Sequence, residues 1–178
     1  MVSDDIRGRR EEYTQLMRHI GQMSPGEIIP QVAETQGRLL ALLRPVGEER
    51  AARAPAEGEW CLRELTLHAA FTERLVAKLV QCLSRGEMPA REDLEGAGIG
   101  MMPAGDGASF REAVRRLEEM NASLLEAVRG VPAEPDLELR LPHPFFGPLN
   151  SLEWAGFQCV HDLDHIQHAQ RILAGMPA

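Results

Sequence analysis

The chain has 178 residues, 44% of them apolar and 26% charged, the profile of one globular domain with a core of its own. Acidic residues outnumber basic ones 27 to 19, giving a formal charge of −8. With no Lys/Arg-rich block to offset it, this argues against a nucleic-acid partner. No apolar run approaches the roughly 20 residues that span a bilayer, and the opening MVSDDIRGRREEY is too polar for a secretory leader; a soluble, cytoplasmic protein is the expectation.

Only eight residues are aromatic, and Leu, Ala, Arg and Glu dominate, which favours helix over sheet. Residues 4–20 carry a partial helical stripe (Ile6, Tyr13, Leu16, Met17, Ile20), so residues 1–22 are expected to be a short, helical N-terminal extension to a bundle spanning residues 23–178. SPGE at 24–27 is a capping box with Pro at the first helical position. The helix it opens presents Ile28, Val32, Leu39 and Leu42 and ends near Pro45. A second long helix is predicted over residues 61–84, with Leu62, Leu65, Ala69, Val76, Leu79 and Leu83 at i+3/i+4 spacing and Gly86 as its stop. A Gly/Pro/Met-rich loop follows. SFRE at 109–112 caps a third helix running to Gly130. The next stretch holds five prolines, cannot be helical and is read as a long crossover. Asn150 or Ser151 then caps a last helix to about Ala174. Four long helices with longish connections predict an all-α, antiparallel four-helix bundle.

The last helix has two apolar faces. Trp154, Phe157, His161, His165, His168 and Ile172 share one; Leu152, Gly156, Cys159, Leu163, Ile166 and Leu173 share the other. Such a helix is packed on both sides; one face would line an interior site and the other would meet the core or a second subunit. His161 and His165, four residues apart, project one turn from each other, a spacing that suits two ligands of one metal. Among polar residues interrupting the other stripes (Thr35, His68, Thr72, Asn121), His68 is the strong donor, and it completes a three-histidine set with open positions for water or substrate. The pattern HDLDH departs from the zinc-peptidase H-E-x-x-H, because Asp162 is one methylene short for the base role. A carboxylate di-iron bundle needs two E-x-x-H units, and the chain has none. The three cysteines are odd in number and form no C-x-x-C pair, so reduced thiols are expected. Cys82 and Cys159 lie off the histidine site and read as core residues.

Three stretches, WCLRELTLH (60–68), HPFFGPLNSLEW (143–154) and HDLDHIQH (161–168), resemble the DinB-like (YfiT-like) superfamily. The resemblance runs from about residue 25 onward. It implies an up-down-down-up bundle, often dimeric, with one divalent metal, zinc or nickel, on His68, His161 and His165. It further implies a small-molecule substrate and, in some relatives, a low-molecular-weight thiol used in S-transfer. Two positions depart from the family pattern. Cys61 stands where Ser or Thr is usual, a poorer N-cap. His168 replaces a Gln, and is open to three roles: a fourth ligand, a hydrogen-bonding partner of a ligand, or a general base, the second being preferred. Glu64 either orients His68 or is a solvated carboxylate. His168 and Asp164 are the candidates for proton transfer, and the loops at residues 95–108 and 132–148 the candidates for a pocket rim. The readings that compete are a metal-dependent transferase or hydrolase, a non-catalytic metal-binding stress-response homodimer, and a metal-free bundle binding small apolar ligands.

Overall fold

The computed structural model describes residues 8–94 and 107–175. It contains α1 (Arg10–Ile20), α2 (Pro25–Leu43), a single turn α3 (Glu48–Ala51), α4 (Leu62–Leu83), a second single turn α5 (Arg91–Leu94), α6 (Phe110–Arg129), a hairpin of β1 (Leu141–His143) and β2 (Gly147–Leu149), and α7 (Ser151–Ala174). The long helices begin where the sequence supplies caps. Ser24 and Glu27 form a reciprocal box at α2, Ser109 accepts the Glu112 N–H at α6, and Asn150 with Glu153 closes the start of α7. Cys61 also works as a cap, because Glu64 accepts the Cys61 N–H at 2.9 Å and completes a box whose other half is the thiol.

Around the bundle the packing order is α2, α7, α4, α6, back to α2. The core fixes the directions. One apolar cluster holds Val32, Val76, Leu124 and Val160; the other holds Leu39, Ala69, Leu117 and Ile166. The chain enters the first cluster before the second in α2 and α7, and the second before the first in α4 and α6. The topology is therefore up-down-down-up. Neighbours α4 and α6 run parallel, so the full-length return falls to the connection 84–109. The Pro-rich stretch 131–149, expected to be the long crossover, instead carries the hairpin, which pairs Leu141 with Leu149. Its prolines are compatible with this because a two-stranded ribbon leaves backbone positions that need no ladder donor. Among the described residues, no helix is long and apolar enough to cross a membrane.

Between the two apolar clusters lies a polar layer to which all four long helices contribute: Thr35 and Gln36 from α2, His68, Thr72 and Glu73 from α4, Asn121 from α6, and Gln158, His161, Asp162 and His165 from α7, every one of them buried. Gln36 Nε2 donates to both Glu73 oxygens (3.2 and 3.1 Å) and to the Asn121 carbonyl (3.3 Å). Burial, with the charge of Asp162 adding to it, pushes the Glu73 carboxyl well above the usual range.

The second face of α7 is closed by α1 from the same chain, through Tyr13, Met17 and Ile20. Contact there is close enough that a Cβ on Gly156 would stand 2.6 Å from the Met17 carbonyl oxygen. Gly156→Ala should therefore push α1 off α7, costing about 1–3 kcal/mol and speeding hydrogen exchange in α1 amides. Gly37→Ala, on an open face of α2, should instead stabilise by up to about 1 kcal/mol. A pH effect follows from Glu73, whose folded-state pKa is raised. The stability it allows is full below the ordinary carboxylate range and is lost as pH rises toward the raised value. Glu73→Gln should therefore reduce the fall in Tm between pH 5 and pH 8 by about 2–4 °C for each kcal/mol removed.

Candidate metal centre

His68 comes from the second turn of α4; His161 and His165 come from successive turns in the middle of α7. Packing α4 on α7 brings the three rings together. His161 Nε2 lies 3.2 Å from His68 Nε2 and 3.1 Å from His165 Nε2. This is the one group of three or more His, Cys, Asp or Glu among the described residues whose donor atoms all lie within 4.8 Å of one another. Burial, reinforced by the neighbouring histidines, holds His161 and His165 well below the ordinary imidazole range, so both are neutral and offer lone pairs. Two nitrogens about 2.0–2.1 Å from a shared zinc-like ion, at roughly 90–110° to each other, stand roughly 2.8–3.4 Å apart. The observed separations fall inside that window, and an all-imidazole set suits zinc, nickel, copper or iron rather than calcium or magnesium. The donor set fits a divalent ion. All three histidines are buried, at 8%, 8% and 5% residual exposure for His68, His161 and His165.

Outward from the ligand nitrogens, each side of the site has a different partner. His165 Nδ1 is buried with no hydrogen bond, and Asp164 Oδ2 lies 3.9 Å from it. That places Asp164 on the Nδ1 side of the imidazole, beyond hydrogen-bonding distance. Gln158 Nε2 is 3.5 Å from His161 Nδ1 and donates to Asp162 Oδ1 at 2.8 Å, while the Thr35 hydroxyl donates to Asp162 Oδ2 at 3.0 Å. Burial lifts the Asp162 carboxyl to about 7, against the lowering effect of those two hydrogen bonds. Asp162 thus belongs to the interior network, turned away from the face where a peptidase base would sit.

His168 is not part of the converging set. Its ring stacks near Trp60 (centroids 6.1 Å apart, 24° between planes) and lies 6.4 Å from the His165 ring. Burial first, then Arg171, lower it to about 4. Trp60 in turn packs on His68 at 4.9 Å, so His168 and Trp60 form one wall beside the triad. Glu64 is committed to the Cys61 cap. Cys61, Cys82 and Cys159 are free thiols outside the triad, as expected. Of the two rim loops, 95–106 lies outside the described residues, whereas the other places the hairpin against α7. His143, quoted above only as part of a family-like stretch, stands there with its ring 4.6 Å from Phe157, 5.4 Å from Trp154 and 5.0 Å from Phe146. Phe157 is 5.5 Å from His161. A histidine immediately before a tight turn, PHPFFG, was the available signal.

The chain also resembles known proteins in sequence and fold. YuaE of Bacillus subtilis strain 168, described as uncharacterized, is 24% identical over 142 residues, covering 73% of this chain and 87% of its own. The crystal structure of TT2238, described as a four-helix bundle protein, superposes with a TM-score of 0.59 at 25% identity, covering 83% of this chain and 99% of that one. YfiT from Bacillus subtilis, described as a probable metal-dependent hydrolase with an unusual four-helix bundle topology, superposes with a TM-score of 0.58 at 14% identity, over 84% of this chain and 86% of its own. The profile of the DinB superfamily matches residues 31–169, from the middle of α2 to the last turns of α7, and the chain belongs to that superfamily.

Proposed function

We propose that this protein is a mononuclear metal-dependent enzyme that hydrolyses a small, electrophilic molecule, with His68, His161 and His165 as the metal ligands. The convergence of the three imidazoles, with His68 and His165 Nε2 at 3.2 and 3.1 Å from His161 Nε2, is the observation that carries this reading. Bound there, a zinc- or nickel-like ion would supply Lewis acidity and make a water acidic enough to act as a nucleophile near neutral pH. The chain does the rest. Asp164 and Gln158 stand beside the outer nitrogens of His165 and His161, 3.9 and 3.5 Å away. Trp60 and Phe157 flank the triad with apolar surface, which favours a substrate with a largely apolar body and keeps bulk water out. The description of YfiT makes hydrolysis the first reaction to test. Transfer of a low-molecular-weight thiol to the same class of electrophile would use the same open position, with the thiol in place of water.

A purely bracing role for the metal is the weaker alternative, since closed apolar clusters lie on both sides of the layer. Two outcomes are expected. His68→Ala, His161→Ala and His165→Ala should each lower metal content in purified, untagged protein to a small fraction of one equivalent, whereas His168→Ala should retain it with affinity reduced by no more than about tenfold. Removal of metal by a chelator should abolish hydrolysis of an ester panel yet leave the far-UV circular dichroism unchanged. Global unfolding on chelation would instead identify the metal as a brace.

A further inference from the structure

The turn between β1 and β2 is built on a side chain. His143 Nδ1 accepts hydrogen bonds from the backbone N–H groups of Phe145 (3.1 Å) and Phe146 (3.2 Å). These are the i+2 and i+3 amides that an Asn or Asp carboxamide or carboxylate oxygen would serve in an Asx-type turn. Two donors aimed at Nδ1 require its lone pair there, so the hydrogen of the neutral ring is on Nε2. Burial independently keeps the ring neutral, lowering it to about 4. Nε2 has no protein acceptor among the described residues, and it is not sealed from solvent. In the same ring cluster Trp154 Nε1 is buried without an acceptor as well, so the cluster is short of acceptors. It stands one ring away from the triad, through Phe157.

We infer that His143 is a hydrogen-bond donor of fixed tautomer that holds an acceptor oxygen of the substrate, a carbonyl or carboxylate, beside the metal triad. The inference deepens the metal-enzyme reading and rests on it. His143 moves no proton. It cannot act as a base, because Nε2 already carries its hydrogen, and gaining one at Nδ1 would break both bonds of the turn. A neutral donor fixed in this way is suited to an oxygen on which negative charge develops, since it needs no reorganisation as that charge grows. The structure therefore divides the ring between two duties, Nδ1 for the turn and Nε2 for the ligand, and the two are separable by mutation.

The test uses the full chain loaded with cobalt, whose visible bands report ligands entering the site, and benzoate as the probe. His143→Asn keeps an oxygen for the two amides but removes the donor. It should retain the cobalt content and Tm of wild type while binding benzoate about tenfold more weakly or worse. In the zinc-loaded wild type, the 15N spectrum of the His143 ring should show the Nε2–H tautomer at neutral pH, and benzoate should shift that resonance. Unchanged benzoate affinity in the Asn variant, an Nδ1–H tautomer, or absence of benzoate binding to cobalt-loaded wild type would each overturn the inference while leaving the metal site in place. If wild type takes up no cobalt, the metal-enzyme reading itself fails. Should the Asn variant not fold, the ring spectrum decides alone: an Nε2–H resonance that benzoate leaves unmoved overturns the assignment.

Discussion

Three imidazole nitrogens gathered in a protein interior, with His161 Nε2 3.2 Å from His68 Nε2 and 3.1 Å from His165 Nε2, do not arrange themselves. Lone pairs at that distance repel unless a proton or a cation is shared among them, and burial denies the rings the water that would relieve them. Something has to hold the backbone of α4 against that of α7 while the rings meet. The two apolar clusters do so, one on each side of the layer, and each long helix contributes to both. At about 1.5–3 kcal/mol for each fully buried large aliphatic side chain, residues such as Leu39, Leu65, Val76, Leu79, Leu117 and Leu124 outweigh the unfavourable juxtaposition. The site is paid for by the core around it.

The rest of the polar layer follows from the same economy of partners. An acid in this layer meets amides and hydroxyls rather than bulk water: Gln36 serves Glu73, and Gln158 with Thr35 serves Asp162. Carboxyls in that setting are pushed toward the protonated form, Asp162 to about 7 and Glu73 in the same direction. Such a network specifies how four helices register with one another, because a slip by one turn would leave several groups without partners. It also reaches the histidines at one point, through Gln158, whose Nε2 serves Asp162 and lies 3.5 Å from His161 Nδ1.

Chemistry is divided between rigid and irregular parts of the molecule. The three clustered histidines sit on α4 and α7, in the interior of long helices, where positions are set to within a rotamer. The hairpin, a connecting element, brings His143 and Phe146 down onto Trp154 and Phe157.

The amino-acid sequence by itself determined the helices and pointed to the three histidines that cluster. Caps at Ser24, Ser109 and Asn150, apolar stripes at helical spacing and the four-residue interval from His161 to His165 are local properties of one segment, and local properties are written in the order of the residues. Pairing His68 with them needed only the observation that it interrupts an apolar stripe. Tertiary structure decided what depends on which segments meet. Glu73 could not be distinguished from a surface acid, nor Asp162 assigned to Thr35 and Gln158, until α2, α4 and α7 were packed. The closing of the second face of α7 by α1, the place of the long return at 84–109, and the position of His143 were likewise hidden, because a side chain in a turn carries no periodic signal. Its partners are set by how the chain comes back over the bundle, and only the folded molecule contains that distance.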